Sequence, residues 1–263
     1  MKPFLVVFLL AASLVGQIEA PSTSPGGIPV DQANVEKARR LVNQAIAALG
    51  GQAYLNIQDM SQEGRGYTFH HGESTSAGIQ FWRFYKFPDK DRVEVTKQRD
   101  VMYVYNGEKG YEVTYKGARP MEAKDLANYL RRRRYALDQV LRNWVNAPKT
   151  ALFYEGSANA ADKPAEQVTV LNSNNEGVTL YFDVTTHLPL KKSFSWRDPT
   201  DRERNIEEEI YDNYREVQGV MTPYRITGFY NGDMSSQRFL NSVGYNKGLT
   251  DSMFDAQAIR IKK

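Results

Sequence analysis

The chain of 263 residues has no cysteine. That absence removes thiol nucleophiles, thiolate zinc sites, iron–sulfur ligation, disulfide staples and lipid attachment through an N-terminal cysteine. Histidine is scarce too, at 3 residues. His70 and His71 are adjacent, with Glu73 close by, but neighbouring side chains on a strand point to opposite faces and do not chelate from one side. A strand end running into a turn accounts for them. There is no Gly-x-Ser-x-Gly elbow, no glycine-rich phosphate loop and no His-Glu-x-x-His helix. No catalytic residue, metal ligand or cofactor is therefore assigned. A surplus of one charge is also missing: 34 basic and 31 acidic residues leave +3, too little to argue for a nucleic-acid partner.

Long apolar runs are confined to the first twenty residues. Met1 to Ala20, MKPFLVVFLLAASLVGQIEA, carries one lysine, an apolar stretch and a polar end closing on a small residue. This is the layout of a signal peptide cleaved near Ala20, and it is too short for a spanning helix. The mature chain is expected to be periplasmic and free of a lipid anchor. Residues 21–30, opening PSTSPGGIP, read as a flexible linker. Residues 31–263 read as one domain, because no second linker and no internal repeat appears.

What the chain does have is aromatic: 16 Tyr and 12 Phe against 3 Trp. From Asp31, a plausible N-cap, Val35, Ala38, Leu41, Val42, Ala45, Ile46 and Leu49 recur at helical spacing until Gly50-Gly51 stops the run. Short β-branched and aromatic segments follow, punctuated by turns at Pro88-Asp89, Arg99-Asp100, Asn106-Gly107, Asn174-Asn175, Gln218-Gly219 and Asn231-Gly232. They amount to about 11–12 strands in two blocks, divided by a helix from Pro120 to about Ala147. The short connections imply sequential antiparallel pairing. So many antiparallel strands imply a strongly curved sheet or an unclosed barrel, an α+β but mainly β fold with an N-terminal helix and a central lid helix. In Ile79–Phe87 both faces are apolar, so the inward face is not decided.

On the central helix Leu126, Leu130, Leu137, Leu141 and Trp144 share one stripe, and Arg133 falls in the middle of it. Arg131 to Arg134 read either as a solvated face, with Arg133 reaching to the rim, or as a helix across a cavity mouth where Arg133 bonds a carbonyl, carboxylate or headgroup. Glu207 and Glu209 share a strand face, either as a paired-carboxylate site or as charge blunting an edge.

The order LGG (Leu49 to Gly51), FWRFYKFPDKDRVEV (Phe81 to Val95), VYNGEKGYEV (Val104 to Val113), GVMTPYRITGFYNGD (Gly219 to Asp233) and VGYNKGLTDSMF (Val243 to Phe254) resembles the outer-membrane lipoprotein-sorting proteins, the LolA-like periplasmic carriers. The resemblance implies a half-open antiparallel barrel whose mouth is covered by helices, enclosing an apolar cavity for acyl chains. In that family an arginine immediately before the proline of the segment here reading Tyr85-Lys86-Phe87-Pro88 latches the lid. Here Phe87 stands in that place, and Arg133 is the candidate replacement. The expected function is a non-enzymatic carrier of acyl chains of a lipid or lipoprotein, a monomer served by an inner- or outer-membrane partner protein. Trp82, Phe84, Leu126, Leu130, Arg133, Leu137, Leu141 and Trp144 are the expected ligand-binding residues. The alternatives are an envelope sensor or accessory domain that binds a protein on its curved face, and a hydrolase using Glu207 and Glu209.

Overall fold

The computed structural model describes residues 30–261. The leader expected at 1–20 and residues 21–29 of the linker lie outside the described residues; Val30 already opens the first helix. In chain order the elements are α1 (Val30–Ala48), α2 (Gln52–Leu55), β1 (Asp59–His70), β2 (Glu73–Ser74), β3 (Ile79–Lys86), β4 (Lys90–Val95), β5 (Val101–Asn106), β6 (Lys109–Thr114) and β7 (Gly117–Pro120). There follow α3 (Ala123–Arg134), α4 (Leu137–Arg142), a 3-10 turn (Trp144–Asn146), β8 (Ala151–Ala160), β9 (Lys163–Leu171), β10 (Gly177–Asp183), β11 (Pro189–Arg197), β12 (Arg204–Val217), β13 (Val220–Tyr230), β14 (Asp233–Tyr245) and a second 3-10 turn (Asp251–Phe254).

The strands form one antiparallel sheet in the order β7-β6-β5-β4-β3-β1-β14-β13-β12-β11-β10-β9-β8, with short β2 beside β1. Two meanders are thus joined through the first and last long strands, Met60 opposite Tyr245 and Thr68 opposite Ser236. The path ends at β7 and β8, which do not pair, so the sheet is unclosed. This is the mainly β, helix-covered architecture expected. It differs in detail: β2 and β7 join the strands expected. β7 escapes sequence reading because Gly117, Ala118, Arg119 and Pro120 offer no apolar alternation.

One face of the second meander carries the main core. Ala38, Leu41, Val42, Ala45 and Leu49, one stripe of α1, pack with Val140 and Leu141 of α4 onto Leu152, Val168, Val170, Val178, Leu180, Phe182 and Phe194. The helices therefore fill the concavity over this half of the sheet. The outer edge of β8 is guarded by α1. Asn34 donates from Nδ2 to the carbonyl of Tyr154 at 2.8 Å and accepts from its N–H at 2.8 Å, as a neighbouring strand would.

On the opposite face of the first meander the C-terminal segment runs back over β4 to β6. Phe254 packs there with Met102, Val104 and Val113. Asp59, buried at 3% exposure, holds this segment at its root. Its carboxylate accepts the backbone N–H groups of Lys247 at 2.6 Å, Gly248 at 2.9 Å and Leu249 at 3.0 Å.

The end of α1 docks on the β12–β13 turn, where Met221 N–H donates to the carbonyl of Leu49 at 3.0 Å. This approach needs Gly50, whose φ is +122° and whose added Cβ would lie 2.2 Å from the carbonyl oxygen of Gly219. Gly51 has open space around the same position. Left-handed strain costs about 1–3 kcal/mol, and a backbone clash adds to it. Gly50→Ala is accordingly expected to lower the thermal midpoint by at least about 5 °C and by more than Gly51→Ala does. Equal shifts in a paired melting experiment would refute the close-approach argument.

Candidate functional site

The two edge strands are bridged by α3 and α4, which cross the concave side. Sequence pattern predicts one helix here, and the structure corrects this. The helix breaks after Arg134: Tyr135 caps α3, and Ala136 is extended at φ −64° and ψ 145°. The break lets the Tyr135 ring turn inward and stack on Phe194, with centroids 4.3 Å apart, while meeting Trp144 edge-on at 5.6 Å. The two pieces differ in kind. Val140 and Leu141 of α4 are fully buried, whereas no residue of α3 is.

What holds α3 is charge. Arg133 donates from Nη1 to the carbonyls of Gly107 at 2.8 Å and Asp89 at 3.2 Å, in the β5–β6 and β3–β4 turns, and from Nη2 to Glu108 at 3.2 Å. Arg131 and Arg132 converge on one carboxylate of β12. Arg131 reaches Glu207 Oε1 from Nη2 at 2.8 Å, and Arg132 reaches Oε2 from Nε at 2.8 Å. The Arg131 guanidinium also lies over the Trp196 ring at 3.5 Å. Arg134 donates to Glu176 at 2.8 Å, an acceptor that raises its pKa. All four arginines thus run from one helix to the two meanders: Arg133 to the first, the other three to the second. The run divides: Arg131 and Arg133 are turned inward at 16% and 14% exposure, whereas Arg132 and Arg134 make their ties from a solvated face at 61% and 59%.

Beneath α3 the concave surface carries further charge. Asp91, 1% exposed, takes a two-pronged bond from Arg83 and the hydroxyl of Tyr129 at 3.0 Å. Burial, then the charge on Asp91, pushes the Tyr129 pKa up, so its hydroxyl stays a donor. Asp138, in the first turn of α4, is raised above the usual carboxylate range by burial, against the pull of Arg83, Arg142 and Lys192. Burial also works against a charge on Glu209, but Lys192, Arg238 and the Tyr211 hydroxyl overcome it and hold the carboxyl at about 2. Glu207 and Glu209 do share a face, yet each is engaged by two cationic side chains. A paired-carboxylate site needs one free acid, which neither supplies.

The eight expected ligand-binding residues separate into three places. Leu137, Leu141 and Trp144 lie in the main core under α1. Leu126 sits against Gly110, where an added Cβ would be 2.8 Å from its Cδ1, and Leu130 and Arg133 line a cleft of about 330 Å³ with Pro88, Asp89, Glu108 and Trp144. Trp82 and Phe84 lie on the other side of the sheet, where the Arg99 guanidinium covers both rings at 5.0 and 6.0 Å and Phe84 packs against the C-terminal segment. The inward residues of β3 are Phe81, Arg83 and Tyr85. Sequence reasoning missed Arg83, Tyr85, Asp91, Tyr129 and Trp196; the cue was the odd-numbered register shared by Phe81 and Tyr85 with Arg83 between them.

Removing the shared acceptor should release one end of α3. In Glu207→Gln the amides of residues 123–134 are expected to exchange at least about tenfold faster with deuterium, while those of α4 keep their protection. Uniform exchange across both helices, or none gained, would refute the tie.

No family model and no curated protein sequence matches the chain. Solved structures do. A DUF1329 family protein from Desulfovibrio piger superposes at TM-score 0.57 and 12% identity, covering 85% of this chain and 99% of that one. A LolA superfamily protein from Nitrosomonas europaea gives TM-score 0.54 at 11% identity, over 82% and 96%. A domain assigned to outer membrane lipoprotein sorting from Vibrio parahaemolyticus gives 0.53 at 11%, over 84% and 97%. Unclosed antiparallel sheet, N-terminal helix and crossing lid together are the LolA-like fold, and this chain has it.

Proposed function

We propose that the protein is an exported, non-enzymatic carrier that takes acyl chains of a lipid or lipoprotein between its concave sheet face and its lid, and that the conformation described is the shut one. The observation that carries this reading is the contrast within the lid: no residue of α3 is fully buried, whereas Val140 and Leu141 of α4 are. Water replaces the exposed ties of Arg132 and Arg134 at little cost, and lifting the segment leaves intact the apolar core that α4 shares with α1. Lifting α3 bares the Trp196 ring that Arg131 covers and the sheet-facing side of Leu130. Each methylene an acyl chain buries there gains about 0.8 kcal/mol, so a partly enclosed chain is held at micromolar or better.

The resemblance to the lipoprotein carriers places a lid-latching arginine where Phe87 stands. In this reading Arg133 makes the join from the opposite side, since it leaves the lid and ends on the carbonyl of Asp89, just beyond Pro88. Export and service by a membrane partner belong to the same reading. The test is extraction of the purified protein with organic solvent, mass spectrometry of the extract, and titration with a fluorescent fatty acid. Wild-type protein is expected to take the probe saturably, and Arg133→Ala to take it faster with the core still folded. Absence of bound lipid together with no saturable uptake by either protein would end the proposal.

A further inference from the structure

We propose that the cleft between the β5–β7 edge and the first turn of α3 binds a primary ammonium group. The cleft measures about 330 Å³, and its walls include Tyr103, Tyr105, Glu112, Arg119, Glu122 and Asp125. Strand register assembles it. Tyr103 is paired with Glu112 across β5 and β6, and Glu112 with Arg119 across β6 and β7, so the three side chains form one row on the lid side. Tyr105 is two residues along, and α3 brings Glu122 and Asp125 down at the open side.

Three carboxylates here face one guanidinium. Arg119 is 69% exposed and donates to Glu112 at 2.8 Å, so the walls already hold one cationic side chain at the rim. Acidic residues at a helix start complement its dipole, which by itself explains Glu122 and Asp125. It does not explain Tyr105. This residue is 8% exposed, and its ring is stacked on Tyr129 with centroids 3.4 Å apart. Its hydroxyl lines the cleft without a hydrogen-bond partner. The rest of the side chain is buried while the hydroxyl stays open to the cleft, so it is free to accept a donor from a ligand there. Burial keeps the hydroxyls of both Tyr103 and Tyr105 protonated, with Glu112 reinforcing it for Tyr103 and Asp91 for Tyr105. Neutral phenol oxygens accept N–H donors, their rings attract a cation, and the carboxylates neutralise it. A primary ammonium group meets all three requirements, whereas a quaternary one has no N–H to give.

The group can come from a free amine or from a phospholipid headgroup, and the proposal stands apart from acyl carriage because its deciding probe, ethanolamine, has no acyl chain. The full-length protein is titrated calorimetrically at constant ionic strength with ethanolamine, choline and dihexanoylphosphatidylethanolamine. Ethanolamine is expected to bind saturably in the millimolar range or tighter, and choline about fivefold more weakly for want of N–H donors. Tyr105→Phe should weaken ethanolamine by about fivefold and leave choline unchanged. Glu112→Gln combined with Asp125→Asn should remove both. Short-chain lipid binding as tightly as ethanolamine supports the site with a headgroup as its source, and ethanolamine alone supports it with a free amine. The proposal is overturned if ethanolamine does not saturate, or if it binds Tyr105→Phe and the double variant as it binds the wild type, with melting curves showing that each variant is folded.

Discussion

The pairing of β1 with β14 is the constraint from which the rest of the architecture follows. Each flanking meander runs outward from this central seam and ends at an unpaired edge. The chain returns from β7 to β8 through α3 and α4, which cross the concave side. The helices over that side are therefore also the link between the two meanders. Their attachments span the same division: Arg133 and Tyr129 of α3 and Gln139 of α4 reach the first meander, while Arg131, Arg132, Arg134 and the buried Val140 and Leu141 of α4 reach the second. A shift between the two halves of the sheet would be felt at Glu207 and at the carbonyl of Gly107 together.

The two halves differ in what lies beneath the helices. Under α1 and α4 the surface is aliphatic and closely packed. Under α3 it is a set of compensated charges, Arg83 with Asp91 and Lys192 and Arg238 with Glu209. Buried ion pairs contribute little net stability after desolvation, although removing one partner is costly. Their value here is geometric: they keep an open concave surface from collapsing onto the lid while stabilising it less than an aliphatic core would. Both the carrier reading and an ammonium-binding cleft draw on that arrangement.

Much of the architecture was legible because local chemistry and final structure agree. Gly50-Gly51 stops α1 where the pattern stops, and the strands of the second meander alternate cleanly, with Val168, Val170, Val178 and Leu180 all inward. The candidate site was less legible, for identifiable reasons. Tyr135 and Ala136 are unremarkable in a helix, so the break between α3 and α4 had no local signal; it accompanies the stacking of Tyr135 on Phe194, a residue distant in sequence. Trp82 and Phe84 were as apolar as Phe81 and Tyr85, and only the C-terminal segment, packed on one face, decides the sidedness of β3. Arg133 did stand out on its stripe, but its acceptors are backbone carbonyls, which composition does not reveal. Glu207 stood out as well, for a chemistry that its two arginines leave no room for.

The amide of Asn34, standing in for a missing strand beside Tyr154, limits which part of the molecule is free to move. A β8 edge stripped of α1 would present unpaired backbone next to Phe153, 42% exposed, an invitation to intermolecular pairing. Any opening that carried α1 away would trade ligand access for self-association. In the carrier reading, colloidal safety thus assigns the labour: α1 stays seated as a permanent guard, and gating falls to α3.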